Sequence, residues 1–123
     1  MQAAKKTEQH EWAKFLKFFS EQNCGRPTRL GVFERQGDVV NDYWLENGLP
    51  LIAIDINTKP ELPTIDITAG DLTHEIKDAV KLTFHFGLDG DEDGIDIATA
   101  KGQTTILRFE TKGTRTPSSA IPT

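Results

Sequence analysis

The chain predicts an α+β domain in which one N-terminal amphipathic helix packs on a mainly antiparallel β-sheet. Apolar residues recur at helical spacing before Pro27, whereas from Thr28 onward they alternate with polar residues, as in strands that bury one face. The last third holds three alternating segments joined by short turns, the pattern of an antiparallel meander. A length of 123 residues is typical of one domain.

The predicted helix begins near Thr7, a favourable N-cap residue, and ends before Gly25 and Pro27. Apolar side chains at positions i, i+3, i+4 and i+7 form a stripe along it: Trp12, Phe15, Leu16 and Phe19. We expect the sheet to bury this stripe, with Phe18 at the flank of the same buried face.

The first strand is predicted from Thr28, and a second from Asp38 to Glu46. Asn47-Gly48 resembles a two-residue hairpin turn. Pro50 follows closely and has no N–H for a ladder, which favours an edge strand or a bulged stretch. A strand with three inward side chains comes next: Ile52, Ile54 and Ile56.

A proline-containing linker over residues 57–63 leads to two short strands, separated by the break at Gly70-Asp71. Asp78 allows a kink before the meander. The inward side chains of the two short strands are Ile65, Ile67 and Ile76. Those of the meander are Val80, Leu82, Phe84, Phe86, Ile95, Ile97, Leu107 and Phe109. Its turns are predicted over Gly87–Gly94 and residues 101–103.

The domain boundaries follow from composition. Residues 1–6 are polar and form a frayed N-terminus, residues 7–111 form the single domain, and residues 112–123 form a disordered tail. Proline, serine, threonine and glycine dominate this tail, and such segments bury too little apolar surface to fold.

One acidic turn, residues 89–96, carries the whole charge excess of the chain. The chain has 19 acidic and 14 basic residues, and five of the acids lie in this turn. Its D-x-D-x-D-G pattern matches the first half of a calcium loop, but position twelve is Ala100, which excludes a complete EF-hand. A weak calcium site is one interpretation, with ligands Asp89, Asp91 and Asp93. The other is a solvated hairpin loop whose charges oppose aggregation.

Tyr43 and Trp44 are the candidate interaction residues. Consecutive residues of a strand point to opposite faces, so one of these two rings is expected to be exposed. Tyrosine and tryptophan are enriched at binding hot spots. The alternative is that Trp44 completes the edge of the core.

Several classes of function are disfavoured by the composition. The chain lacks the basic stripe of a nucleic-acid module, and it has no apolar run of the length that a membrane span needs. The single cysteine, Cys24, excludes an internal disulfide, and with no secretory signal a cytoplasmic location is expected. The three histidines have no zinc-site spacing, and no nucleophile or phosphate-binding motif is found.

The chain resembles a family of small uncharacterised bacterial proteins, known only as a domain of unknown function. Three segments carry the likeness, which covers roughly residues 8–110: Glu11–Ser20, Leu49-Pro50-Leu51, and Ile95–Ala100 followed by a glycine turn and Thr104–Phe109. These motifs are structural, so the resemblance implies a fold and supplies no catalytic residues.

The sequence therefore favours a small non-enzymatic domain with an interaction or structural role and no cofactor. We expect a protein partner or a homodimer, formed through the sheet or through the segment Tyr43–Pro50. A weak calcium-binding domain that uses the 89–96 turn is the alternative. An enzyme whose site is assembled from dispersed residues is the third possibility.

Overall fold

A computed structural model describes residues 6–36, 39–88 and 90–110, without the side chains of residues 35, 36 and 39–47. It contains one helix and seven strands: α1 (Lys6–Asn23), β1 (Pro27–Gln36), β2 (Val39–Asn57), β3 (Thr64–Ala69), β4 (Leu72–Ile76), β5 (Ala79–Phe86), β6 (Glu92–Thr99) and β7 (Gln103–Phe109). The α+β prediction is confirmed. Residues 1–5 of the predicted frayed start and the whole predicted tail lie outside the described residues.

The seven strands form one antiparallel sheet in the order β4-β3-β2-β1-β7-β6-β5. The meander of β5, β6 and β7 is as predicted. The two outer strands, β4 and β5, are joined only by Lys77 and Asp78, and Asp78 takes the positive φ of 60° that a sharp change of direction requires.

The sheet is strongly rolled. His74 of β4 lies 3.2 Å from Thr105 of β7, measured between Nε2 and Oγ1. These strands are four positions apart, which in a flat sheet corresponds to about 19 Å at about 4.8 Å per strand. The inward face of the sheet therefore encloses a core.

Helix α1 supplies two fully buried side chains to this core, Leu16 and Phe19. The ring of Phe19 lies 5.5 Å from that of Phe84 and 5.6 Å from that of Phe109, measured between centroids. The buried sheet residues around them are Leu30, Leu51, Ile54, Ile65, Ile67, Ile76, Ala79, Ile95, Ile97 and Leu107.

Helix α1 runs antiparallel to the second half of β2. At its start, the buried Gln9 side chain donates to the Glu61 carbonyl at 3.0 Å. Just past its end, the N–H of Gly25 donates to the Leu51 carbonyl at 2.7 Å. Gly25 has a φ of 89°, the left-handed conformation of a helix C′ residue, as its position predicts.

Asn47-Gly48 does not form the hairpin turn that it resembles, and the alternative of a bulged stretch before Pro50 is what the structure contains. Strand β2 continues through these residues, pairing with β1 up to Pro50 and with β3 from Leu51 onward. Gly48 has a φ of 92°, and it lies where the pairing with β1 shifts register. Its conformation forms a bulge that bends the strand without reversing it.

Four side chains predicted to be buried are exposed: Phe15, Phe18, Ile52 and Phe86. The buried face of α1 contains Gln9, Leu16 and Asn23, so it is rotated away from both Phe15 and Phe18. Ile52 lies at a bulge in the pairing of β2 with β3, which breaks the alternation and leaves Leu51 and Ile54 inward. The turn predicted to end at Gly94 ends earlier, because β6 begins at Glu92.

Candidate functional site

The most distinctive surface is a cluster of Phe15 and Phe18 from α1 with Phe84 and Phe86 from β5, called here the aromatic patch. The exposed fractions are 56% for Phe15, 62% for Phe18 and 62% for Phe86. The four rings line an open hollow of about 330 Å³ together with Glu92. Leu88, just beyond β5, is fully exposed.

Ring contacts with the core fix the position of the aromatic patch. Phe15 and Phe84 pack edge to face, with centroids 6.2 Å apart, and Phe84 contacts the buried Phe19. At the margin, the Glu92 side chain accepts a hydrogen bond from Asn23 Nδ2 at 2.8 Å. The patch therefore joins the helix to an outer strand and presents a preformed apolar surface.

A second concave feature lies on the other flank of α1, between the helix and β2. We call it the strand-edge groove. Its volume is about 620 Å³. The helix contributes Ala13, Lys17, Ser20 and Glu21, Cys24 follows the helix end, and the strand contributes Ile52, Ala53, Ile54, Asp55 and Ile56. Every large exposed apolar side chain among the described residues belongs to this groove, to the aromatic patch, or to Leu88 beside the patch.

A polar cluster occupies the outer face of the meander. Arg108 donates to Asp96 Oδ1 at 2.7 Å, and His85 Nε2 lies 2.9 Å from Asp96 Oδ2. Gly94 makes room for this cluster, because a Cβ there would lie 3.1 Å from the Arg108 guanidinium and 2.1 Å from the Leu107 carbonyl. A histidine oriented by a carboxylate can act as a base. Among the described residues, however, no hydroxyl or thiol hydrogen-bonds to His85, so the cluster is incomplete as a nucleophilic site.

A row of three carboxylates crosses β2, β3 and β4 on the outer face, because Asp55 pairs with Asp66 and Asp66 with Glu75. Burial, followed by the negative charges of Glu75 and Asp55, raises the pKa of Asp66. Its Oδ1 atom has no hydrogen-bond partner within the described structure. Only Glu75 of the three has an ion-pair partner within the described structure, Lys77 at 3.7 Å, so this part of the outer face carries an excess of negative charge.

His74 lies on the inward face beside Thr105. Burial lowers the pKa of its imidazole, and the charge of Asp66 partly opposes this effect. A histidine held neutral in this way is a structural group whose protonation costs stability.

The acidic turn is divided by the structure. Asp91 lies just before β6 and its carbonyl accepts a hydrogen bond from Gly87 at 2.8 Å, whereas Asp93 is an exposed residue within β6. Asp89 lies outside the described residues, so the three-aspartate calcium site stays a prediction. Within the described part of the chain, no three histidine, cysteine, aspartate or glutamate side chains form a group able to hold a metal.

The predicted interaction residues Tyr43 and Trp44 lie in β2, with backbones opposite Val32 and Gly31 of β1. Their side chains lie outside the described part of the structure, so their proposed role stays a prediction.

Comparisons of the chain with protein-family models, curated proteins and solved structures find no match. The resemblance to small bacterial proteins therefore stays a prediction. Helix α1, the one helix among the described residues, does not combine the length and apolarity of a bilayer-spanning segment. The two apolar concave surfaces on either side of α1 are the features that carry a functional interpretation.

The sequence contained a signal for exposed aromatic rings on α1, although not for their position. Trp12, Phe15, Leu16, Phe18 and Phe19 fall within eight residues and occupy more of the helix circumference than one sheet face can cover. Some of these rings had to remain outside the core. Which ones did so depends on the rotation of the helix about its axis, and tertiary contacts such as Gln9 with Glu61 fix that rotation.

Proposed function

We propose that this protein is an interaction domain that associates with a second copy of itself through the aromatic patch. The observation that carries the proposal is the exposure of three phenylalanine rings by more than half on one preformed surface. Exposed aromatic clusters on soluble domains mark sites of association, because water contact with such apolar area is unfavourable. Phenylalanine is among the residues enriched at protein interfaces.

A second copy is favoured because the aromatic patch continues into a sheet edge. Strand β5 carries Phe84 and Phe86, and among the described strands it pairs only with β6. Beyond Ala79, whose N–H already donates to the Pro63 carbonyl at 3.0 Å, its outer edge offers N–H and C=O groups for pairing. Lys81 is its one formally charged residue, so little charge opposes the approach of a second β5. Antiparallel pairing of two β5 strands would bring both aromatic patches into one interface.

Sedimentation velocity over a range of protein concentrations tests the proposal. We expect wild-type protein to shift from monomer to dimer as concentration rises. Phe18→Ser and Phe86→Ser should each weaken this association at least tenfold, because each removes an exposed ring from the interface. Neither ring is buried, so both variants should keep the wild-type fold.

Ile52→Ser is the matched control, since Ile52 is an exposed apolar residue outside the aromatic patch, with 49% of its surface accessible. It should dimerise like wild type. A wild-type protein that stays monomeric at high micromolar concentration, or one that Ile52→Ser disrupts as strongly as Phe18→Ser, would overturn the proposal.

A further inference from the structure

Among the described strands, the second half of β2 has a partner on one side only. Residues 51–57 pair with β3, whereas β1 pairs with β2 only as far as Pro50. The residues that precede β1 link it to the end of α1, and two of them, Gly25 and Arg26, hydrogen-bond to Leu51. The position that an additional strand would occupy beside residues 53–57 is the strand-edge groove.

The register identifies which backbone groups face this groove. Both the N–H and the C=O of Leu51 bond towards Gly25 and Arg26, away from β3. In a strand, the N–H and C=O groups of alternate residues point to the same side. The one extra residue at the Ile52 bulge shifts this alternation by one position, so the N–H and C=O groups of Ile54 and Ile56 point away from β3, as those of Leu51 do. Among the described residues, no backbone hydrogen bond joins either of these residues to another element on that side.

We propose that the strand-edge groove binds an extended segment of a partner protein as an additional β-strand. Strand addition of this kind takes its affinity from main-chain hydrogen bonds to an exposed sheet edge and its specificity from side-chain pockets. Residues 52–56 span about 13 Å at about 3.3 Å per residue, so the groove fits a segment of about five residues. The apolar side chains of Ala13, Ile54 and Ile56 line it.

The charges beside the groove define the chemistry of the bound segment. Side chains opposite Ile54 and Ile56 would point inward and should be apolar. The side chain between them would lie opposite Asp55, where it would extend the row of Asp55, Asp66 and Glu75. Opposite charges in adjacent positions stabilise a strand pair and like charges destabilise it. The segment should therefore read apolar, basic, apolar, with lysine or arginine in the middle.

This site is separate from the aromatic patch. With 3.6 residues per turn, Ala13 and Lys17 lie along one flank of α1, and Phe15 and Phe18 lie along the other. The inference goes beyond self-association, and either can fail without the other.

A phage-displayed library of random seven-residue peptides, selected on the full chain, tests the inference. We expect enrichment of sequences with an apolar, basic, apolar core. Synthetic copies of these peptides should bind with micromolar affinity and slow the hydrogen exchange of the Ile54 and Ile56 amides. Methylation of the peptide backbone nitrogens should weaken binding at alternate positions only, because only alternate N–H groups face β2.

Two variants and one matched control locate the binding. Ala13→Trp should fill the groove and weaken the binding of the selected peptides at least tenfold. Lys14→Trp is the control, because Lys14 is exposed and does not line the groove, and it should leave peptide binding unchanged. Asp55→Lys should weaken the basic peptides and favour copies with glutamate in the middle position. Asp55 is exposed and belongs to a like-charged row, so this variant should remain folded even if Ala13→Trp does not.

Three results would each overturn the inference. The first is a selection with no enrichment over a carrier without the domain. The second is that the basic peptides bind Asp55→Lys as tightly as wild type, and that copies with glutamate in the middle position bind this variant no better. The third is a set of peptides that lose affinity in Phe18→Ser, since these would occupy the aromatic patch.

Discussion

Phe15 of α1 and Phe84 of β5 pack edge to face with ring centroids 6.2 Å apart and ring planes inclined at 62°. This contact joins the helix to an outer strand at the protein surface, since more than half of Phe15 is exposed. It separates two populations of aromatic side chains. Phe19 and Phe109 are buried in the core on one side of this contact, and Phe18 and Phe86 are exposed to solvent on the other.

Adjacent phenylalanines of α1 should therefore differ sharply in their effect on stability. Phe19→Ala should lower the free energy of unfolding by about 3–5 kcal/mol, as large-to-small changes in a core do. Phe18→Ala should change it by less than about 0.5 kcal/mol, because the ring is exposed. Urea denaturation of both variants gives the comparison. Equal losses for the two would mean that the helix is rotated differently from the structure.

Gly94 should not tolerate a side chain. A Cβ there would lie 2.1 Å from the Leu107 carbonyl oxygen, which is part of the backbone of the neighbouring strand and has little freedom to move. Gly94→Ala should therefore lower the free energy of unfolding by about 1–3 kcal/mol or more.

Gly90→Ala is the control for Gly94→Ala. Gly90 has open space around the Cβ position but a φ of 88°, so its substitution should cost about 1–2 kcal/mol from backbone strain alone. Thermal melts in which Gly90→Ala lowers the melting temperature much more than Gly94→Ala does would contradict the close approach of β6 and β7.

Asp66→Asn should stabilise the protein at neutral pH. The folded-state pKa of Asp66 is raised above the unfolded value, so ionisation of this carboxyl is less favourable in the folded protein. The resulting cost is present at pH 7 and disappears as pH falls through the folded pKa towards the unfolded value of 3.8.

The melting temperature of Asp66→Asn should therefore exceed that of wild type at pH 7, and the difference should shrink near pH 4. Asp71→Asn, in the exposed turn between β3 and β4, serves as the control and should have little effect. A gain for Asp66→Asn that grows on acidification would show that the sign of the pKa shift is wrong.

Calcium and magnesium should affect the protein equally. Asp93 lies in a strand rather than in a turn, and Asp96 is already paired with Arg108, so we expect the acidic segment to respond by charge screening alone. Thermal melts with each metal at constant ionic strength provide the measurement. A larger rise with calcium than with magnesium would support the calcium site predicted from the sequence.

Sequence reasoning succeeded where local pattern and tertiary environment agree. Strict alternation identified the strands that contain Ile65, Ile95 and Leu107, because a buried face selects one side chain in two. It could not decide between a turn and a bulge at Asn47-Gly48, where residues typical of a hairpin turn form a bulge in one long strand. A glycine with positive φ is compatible with both structures, and the pairing of distant strands decides between them.

Neither proposed interaction surface could be predicted from the sequence. The aromatic patch requires the rotation of α1 and the placement of β5 beside it. The strand-edge groove requires β1 to begin only at Pro27, opposite Pro50, while β2 continues to Asn57. Both depend on contacts between residues far apart in the chain, which a single sequence does not reveal.

Hydrogen exchange of β5 at low and at high protein concentration tests self-association through the aromatic patch most directly. We predict that amides of Ala79–Phe86 exchange more slowly at high concentration, and that Phe86→Ser removes this difference. Strand β4, the opposite edge of the sheet, should show no change. Exchange of β5 that is independent of concentration, or protection confined to β4, would contradict the account.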